Sequence, residues 1–278
     1  MRGKMTNGEM IKYASRAGEV AAYISKPEKT SKPAPGVILI HEIFGLSDHI
    51  KDVADRLARA GYVTIAPDLF SIPEIAGVLT SENLSEAMKF MHTLPMEKMR
   101  DTDYVAQALE KYETGNKQGL LAAMQMAFMG GMPKPKLVEE MKGAAAYLRS
   151  LDGVNADKIG SMGFCFGGGM SILLACNEKI DACIIFYGEN PDPISLVENV
   201  KGPIMGIYGG KDIRISSNVD KLLSAAVQYN KAFEMKLYPE AAHAFFNDTN
   251  ERTYNKAAAE DAWERVLSFF SKNLSSGQ

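Results

Sequence analysis

Apolar residues in this chain fall into two patterns, short unbroken runs and longer stretches where they return every third or fourth position. The first pattern marks buried strands and the second marks amphipathic helices. The runs Gly36-Val37-Ile38-Leu39-Ile40, Tyr62-Val63-Thr64-Ile65-Ala66 and Ile204-Met205-Gly206-Ile207-Tyr208 carry almost no polar side chain, so both faces need cover, as in a parallel sheet. Lys158-Ile159-Gly160-Ser161-Met162 and Phe233-Glu234-Met235-Lys236-Leu237-Tyr238 read as further strands, and Glu19-Val20-Ala21-Ala22-Tyr23-Ile24 as an edge strand separated from the 36–40 strand by a turn over 27–35. A helix is predicted from Ser47-Asp48 to Ala60, with Ile50, Val53, Ala54, Leu57 and Ala58 on one face and Gly61 as its stop. Residues 136–150, 167–175 and 257–274 give three more helices. This alternation predicts an α/β fold: a mostly parallel central sheet with helices on both faces and functional loops at the carboxyl ends of the strands.

The segment 71–135 breaks the alternation and reads as an inserted helical cap within a single domain, 1–278. Leu84, Ala87, Met88 and Met91 have helical spacing, as do Tyr104, Ala108 and Tyr112, while Gly115 and Gly130-Gly131-Met132-Pro133 interrupt it. Nine of the 16 methionines lie between Met88 and Met141. Two readings follow, an adaptable apolar pocket lining or ordinary helix packing.

Composition narrows the function classes. With 278 residues, 46% of them apolar, the chain has enough material for one sizeable core, and no linker or repeat divides it. A net charge of −3 with no basic run interleaved with aromatics gives no reason to expect nucleic acid, so a small-molecule partner is expected. No stretch reaches membrane-spanning length, and Met1-Arg2-Gly3-Lys4 leads into polar sequence, so a cytoplasmic location is expected, with no membrane partner. Cysteines 165, 176 and 183 are too few for a disulfide framework; Cys176 and Cys183 sit in apolar runs and read as core.

The chemistry concentrates at Gly163-Phe164-Cys165-Phe166-Gly167. A strand, this G-x-nucleophile-x-G turn and an apolar helix in succession form an elbow that needs small neighbours and raises its central side chain at the end of the sheet. An acid and a histidine follow in the order such elbows use: Asp212 leaves one strand through Gly209-Gly210-Lys211, and His243 leaves the next through Pro239-Glu240-Ala241-Ala242. Cys165 is the candidate nucleophile, Asp212 the acid and His243 the base. His41-Glu42 lacks the second histidine of H-E-x-x-H, and Gly167-Gly168-Gly169 lacks the Lys-Ser/Thr of a P-loop, so neither a metal nor a nucleotide cofactor is expected. His49 and His92 read as surface or packing residues, and His41 borders the site.

These residues together with His41-Glu42-Ile43-Phe44-Gly45, Ala66-Pro67-Asp68-Leu69-Phe70 and His243-Ala244-Phe245 resemble the dienelactone hydrolases, or carboxymethylenebutenolidases, of the α/β-hydrolase superfamily. The resemblance runs from Gly36 to the C-terminal helix and excludes roughly the 71–140 region. It implies an enzyme that cleaves small esters or lactones through a Cys165, Asp212 and His243 triad and a thioester acyl-enzyme. Glu42 is then the carboxylate that helps control the thiol, and the N–H groups of Ile43 and Phe166 form the oxyanion hole. The chain departs from the pattern at Asn247, where dienelactone-cleaving members carry an arginine; Arg100 has no assignable part in a second arginine site. A non-catalytic ligand-binding or sensor protein on the same fold is the alternative. A thiol redox role would need a resolving cysteine at short spacing, which the sequence lacks.

Overall fold

The computed structural model describes residues 8–28, 32–95, 98 and 101–275. Met1 to Lys4 and Arg100 fall outside these. Two compact units are present, one of Met1–Leu69 with Pro135–Gln278 and one of Phe70–Lys134.

The larger unit is built on an eight-stranded sheet of order β1-β2-β4-β3-β5-β6-β7-β8. Its strands are β1 Glu9–Ser15, β2 Gly18–Ser25, β3 Ala34–Ile40, β4 Val63–Pro67, β5 Val154–Phe164, β6 Ala182–Phe186, β7 Ile204–Gly209 and β8 Phe233–Tyr238. From β4 to β8 all pairings are parallel, and the β1–β2 hairpin adds the two antiparallel ones. Every residue of β4, β6 and β7 is buried, as the unbroken apolar runs require. One expectation is corrected here: the 19–24 strand lies inside the sheet, and β1 forms the edge. β1 escapes a reading by hydrophobic pattern because Tyr13 is its one buried residue.

Helices of this unit are α1 Asp48–Arg59, α6 Lys134–Ser150, α7 Phe166–Asn177, α8 Ile213–Ser216, α9 Val219–Gln228 and α10 Lys256–Leu274, with α2 to α5 belonging to the other unit. Ser47 precedes α1, but its hydroxyl makes no cap bond. Gly61 holds φ at +100°, a left-handed turn that suits a residue without Cβ and lets the chain leave α1 for β4.

Adjacent residues of β5 show how the two faces divide. A Cβ on Gly160 would meet Leu274 and Phe270 of α10, whereas the Ser161 hydroxyl lies 2.8 Å from that of Ser171 on α7. α1 and α10 share the first face, where the Arg56 guanidinium stacks 4.1 Å over the Trp263 ring and Ile50, Val53, Leu57, Val266 and Phe270 join one core with Val37 and Leu39. α7 and α9 share the second face, both packed on the 3₁₀ turn Ile194–Asn199.

The smaller unit contains α2 Pro73–Ala76, α3 Ser81–Thr93, α4 Thr102–Lys111 and α5 Lys117–Ala127. Thr80, Asp101 and Asn116 cap α3, α4 and α5 by accepting from the N–H of Asn83, Tyr104 and Gly119. The buried face of α4 is Val105 and Leu109 rather than the expected Tyr104, Ala108 and Tyr112, because the aliphatic pair sits one position along and Tyr104 is exposed. Met124 and Met141 are packed, Met129 is exposed, and Met96 and Met99 fall outside the described residues.

Candidate active site

β5 delivers Cys165 at its carboxyl end with φ 55° and ψ −116°, a conformation that costs a non-glycine residue about 1–3 kcal/mol. Surrounding contacts hold it there. The Cys165 N–H donates to Phe186 O at 3.0 Å, and its carbonyl accepts from Gly168 and Gly169 as α7 begins. Side chains are excluded on both flanks, since a Cβ on Gly163 would lie 2.0 Å from Gly167 O and one on Gly167 2.3 Å from Ile40 O. The close approach at Gly167 also brings the start of α7, with the Phe166 amide, against the end of β3, from which Ile43 leads away. Of the three cysteines Cys165 alone is partly exposed. Burial pushes the thiols of Cys176 and Cys183 up to about 12 and about 11, which keeps both protonated and unreactive.

Asp212 and His243 arrive on loops that are joined to each other. Gly210 N–H donates to Tyr238 O at 2.8 Å and Lys211 N–H to Ala241 O at 2.9 Å, which ties the exit of β7 to the exit of β8. At that junction the buried carboxylate of Asp212 accepts a hydrogen bond from His243 Nδ1–H. Burial acts to lower the imidazole pKa, but the bond to Asp212 and the neighbouring Cys165 sulfur outweigh it and push it up to about 10. Phe245 and Phe246, both buried, anchor the histidine loop in an aromatic cluster: Phe246 lies 5.1 Å from the Phe164 ring and 5.0 Å from that of Phe186. Burying two such rings contributes about 1.5–3 kcal/mol each, which fixes the loop from beneath.

Glu42, on the turn after β3, is buried and accepts from Asn247 Nδ2 at 2.8 Å. Asn247 is itself committed, because its carbonyl oxygen accepts from both the N–H and the hydroxyl of Thr249 at 3.0 and 2.7 Å; that settles which end of the amide faces Glu42. Burial raises the Glu42 pKa, opposed by the Asn247 hydrogen bond and the His243 charge. Position 247 thus holds a neutral donor already engaged with the acid.

Two contributions had no assigned part in the sequence reading, which placed His41 at the border of the site and Tyr187 only within an apolar run. His41 is buried, donates from Nδ1 to Glu42 O at 2.6 Å and accepts at Nε2 from Leu69 N–H at 3.1 Å, so its neutral tautomer pins the turn that carries Glu42 and Ile43. Burial keeps its pKa low, consistent with that neutral form. Tyr187, buried with φ 37°, sets its ring 5.1 Å from that of His243, with its hydroxyl buried near the backbone of Phe246. Burial, then the negative charge of Glu42 and Cys165, raises its pKa well above the ordinary value, which places the phenol within electrostatic reach of both. A polar position on the loop after β6, facing the elbow, was the available signal. His49 is a packing residue, edge-on to Phe164 and Phe246 with Nδ1 3.4 Å from Asp248. Among the described residues no three His, Cys, Asp or Glu side chains gather as a metal-ligand set, and no helix is long and apolar enough to cross a membrane.

Comparison with known proteins gives this arrangement a context. A Saccharolobus solfataricus protein provisionally named a carboxymethylenebutenolidase is 40% identical over 259 residues, covering 93% of this chain and 96% of that protein. A Yersinia pestis protein of the same provisional name is 27% identical, over 93% of this chain and 86% of its own length. Among solved structures, a provisionally named dienelactone hydrolase from Klebsiella pneumoniae superposes with a TM-score of 0.73 at 24% identity, over 95% of this chain and 98% of that one. The shared fold is that of the α/β-hydrolases, as the resemblance to the dienelactone hydrolases implied, and its mostly parallel sheet is the one the alternation of elements predicted. The sequence model of the dienelactone hydrolase family matches residues 20–274, and the chain belongs to that family.

Proposed function

We propose that this protein is a cysteine-dependent hydrolase of small carboxylic esters or lactones. The observation that carries the reading is the partly exposed Cys165 thiol on a strained turn, beside an imidazole whose other side is held by a buried aspartate. Cys165 attacks the substrate carbonyl carbon as thiolate, forming a C–S bond while the carbonyl oxygen takes the negative charge between the Ile43 and Phe166 amides. Collapse expels the alkoxide, which takes a proton from the His243 imidazolium. His243 then removes a proton from water as it attacks the thioester, releasing the acid and regenerating the thiolate. Asp212 keeps the ring oriented and stabilises its charged form. A reducing compartment such as the cytoplasm keeps Cys165 in the thiol form the cycle needs.

Glu42 tunes the first step. A carboxylate whose proton affinity is raised by burial accepts the thiol proton more readily than an exposed one, while its charge opposes that of the thiolate. Glu42→Gln preserves an acceptor for Asn247 and removes the buried charge, so kcat is expected to fall by about 10²-fold. The stability effect has the opposite sign. Because the folded pKa is raised, the penalty is absent below the ordinary glutamate range and complete above the raised value, so the variant is more stable than wild type at neutral pH but not at pH 3. Thermal melts at the two pH values together with ester kinetics test this.

The decisive experiment for the function itself is intact-protein mass spectrometry during turnover of an activated aryl acetate. An acetyl adduct mapped to Cys165, with product formed over many turnovers, is expected. Saturable binding without turnover supports the sensor reading instead, and an adduct on another residue removes Cys165 from the mechanism.

A further inference from the structure

The far edge of the sheet carries a second pattern, independent of the active site. Among the described residues β8 pairs with β7 and with no other strand. Ala232 O accepts from Ile204 N–H at 2.9 Å and Tyr238 O from Gly210 N–H at 2.8 Å. Alternation along the strand therefore turns the backbone of Glu234 and Lys236 toward β7, and turns the N–H and C=O groups of Phe233, Met235 and Leu237 outward. Side chains alternate across the sheet as well. Tyr238 donates to Asp261 at 2.6 Å and Lys272 to Glu234 at 3.0 Å, which puts Glu234, Lys236 and Tyr238 on the α10 face. Met235 and Leu237 thus point to the α9 face. Both are exposed, 51% and 41%, as are Leu223 and Val227 one turn apart on α9, at 48% and 75%.

We propose that this edge is a self-association surface on which two copies of the chain pair β8 with β8, antiparallel about a two-fold axis through Met235. In that register Met235 meets its own copy and Phe233 meets Leu237 as hydrogen-bonded pairs, so the outward backbone groups of both strands are satisfied. Glu234 of each copy then lies opposite Lys236 of the other in the non-hydrogen-bonded positions, where Cα atoms are about 4.5 Å apart and side chains interact most closely. Sliding the pair by two residues in one direction sets Glu234 against Glu234, and in the other Lys236 against Lys236. The charge pattern therefore selects one alignment. A lysine on an edge strand ordinarily discourages pairing; in this alignment its charge is matched twice by symmetry. Met235 and Leu237 with the outer side of α9 supply apolar area that a two-strand ladder lacks.

Sedimentation velocity on the full chain across micromolar concentrations is expected to show a monomer–dimer equilibrium. Glu234→Lys and Lys236→Glu each place like charges in both pairs and are expected to weaken dimerisation by about tenfold or more. The double variant carrying both changes is expected to return it close to the wild-type value, a rescue that general destabilisation cannot produce. Circular dichroism verifies that each variant is folded. Amide exchange at Phe233, Met235 and Leu237 is expected to slow with increasing protein concentration. A chain that stays monomeric, or a dimer that the single reversals do not weaken or the double exchange does not restore, overturns the proposal.

Discussion

Replacing Cys165 by alanine is expected to lower kcat/KM on an activated short-chain ester by about 10⁴-fold or more. The size of the effect follows from what stays behind. In the proposed mechanism His243 and Asp212 still pair in the variant, and the proposed backbone donors are retained, but no group remains to form the covalent intermediate, so water must attack directly. The fold is expected to survive. Cys165 is partly exposed, its backbone conformation is held by the bond to Phe186 O and by glycine contacts on both sides, and alanine keeps the same Cβ. Steady-state kinetics with a parallel thermal melt separates the two effects. An alanine variant with wild-type turnover and an unchanged melt removes the thiol from the reaction.

Asp212→Asn is expected to lower kcat by about 10³- to 10⁴-fold while changing KM little. Asparagine has nearly the shape of aspartate, but an amide facing the ring neither holds the Nδ1–H tautomer as firmly nor offsets imidazolium charge. The same substitution alters the pH response. In the wild type the His243 pKa lies near 10 in the fold against about 6.5 in the unfolded chain. A raised value means that the contribution to stability is complete below about pH 6.5 and is lost as pH climbs through the folded value. Denaturant unfolding of wild type is therefore expected to show falling stability between those limits, and the Asp212→Asn curve to be flatter over the same window. Identical slopes for the two proteins count against the assigned coupling; undiminished kcat directs attention to another carboxylate.

How far the molecule could be read from its sequence depended on the distance over which each feature is specified. The elbow is local: glycines at 163 and 167 flank the cysteine within five residues, and the structure gives each one a carbonyl oxygen where a side chain would stand. The loops bearing Asp212 and His243 were legible for a related reason, since a strand, fully apolar before Asp212 and alternating before His243, followed by a turn-forming exit fixes the end of the sheet at which a side chain emerges. Asn247 was visible only as a departure from a pattern. Its bond to Glu42 spans 205 positions, and no periodicity carries information over such a separation. Tyr187 was hidden differently, as the last residue of an apolar run whose hydroxyl matters only because the chain turns there. β1 and the buried face of α4 were missed or shifted because their burial comes from one or two residues rather than from a sustained stripe.

The backbone ties from Gly210 to Tyr238 and from Lys211 to Ala241 have a consequence for how this protein can change over time. They make the lengths of two separate loops interdependent: an insertion or deletion in either one slides its rung past the other and draws carboxylate and imidazole apart, even with every side chain retained. Homologous sequences should therefore tolerate substitution at these exits far more readily than indels, with any length change on one side matched by a change on the other.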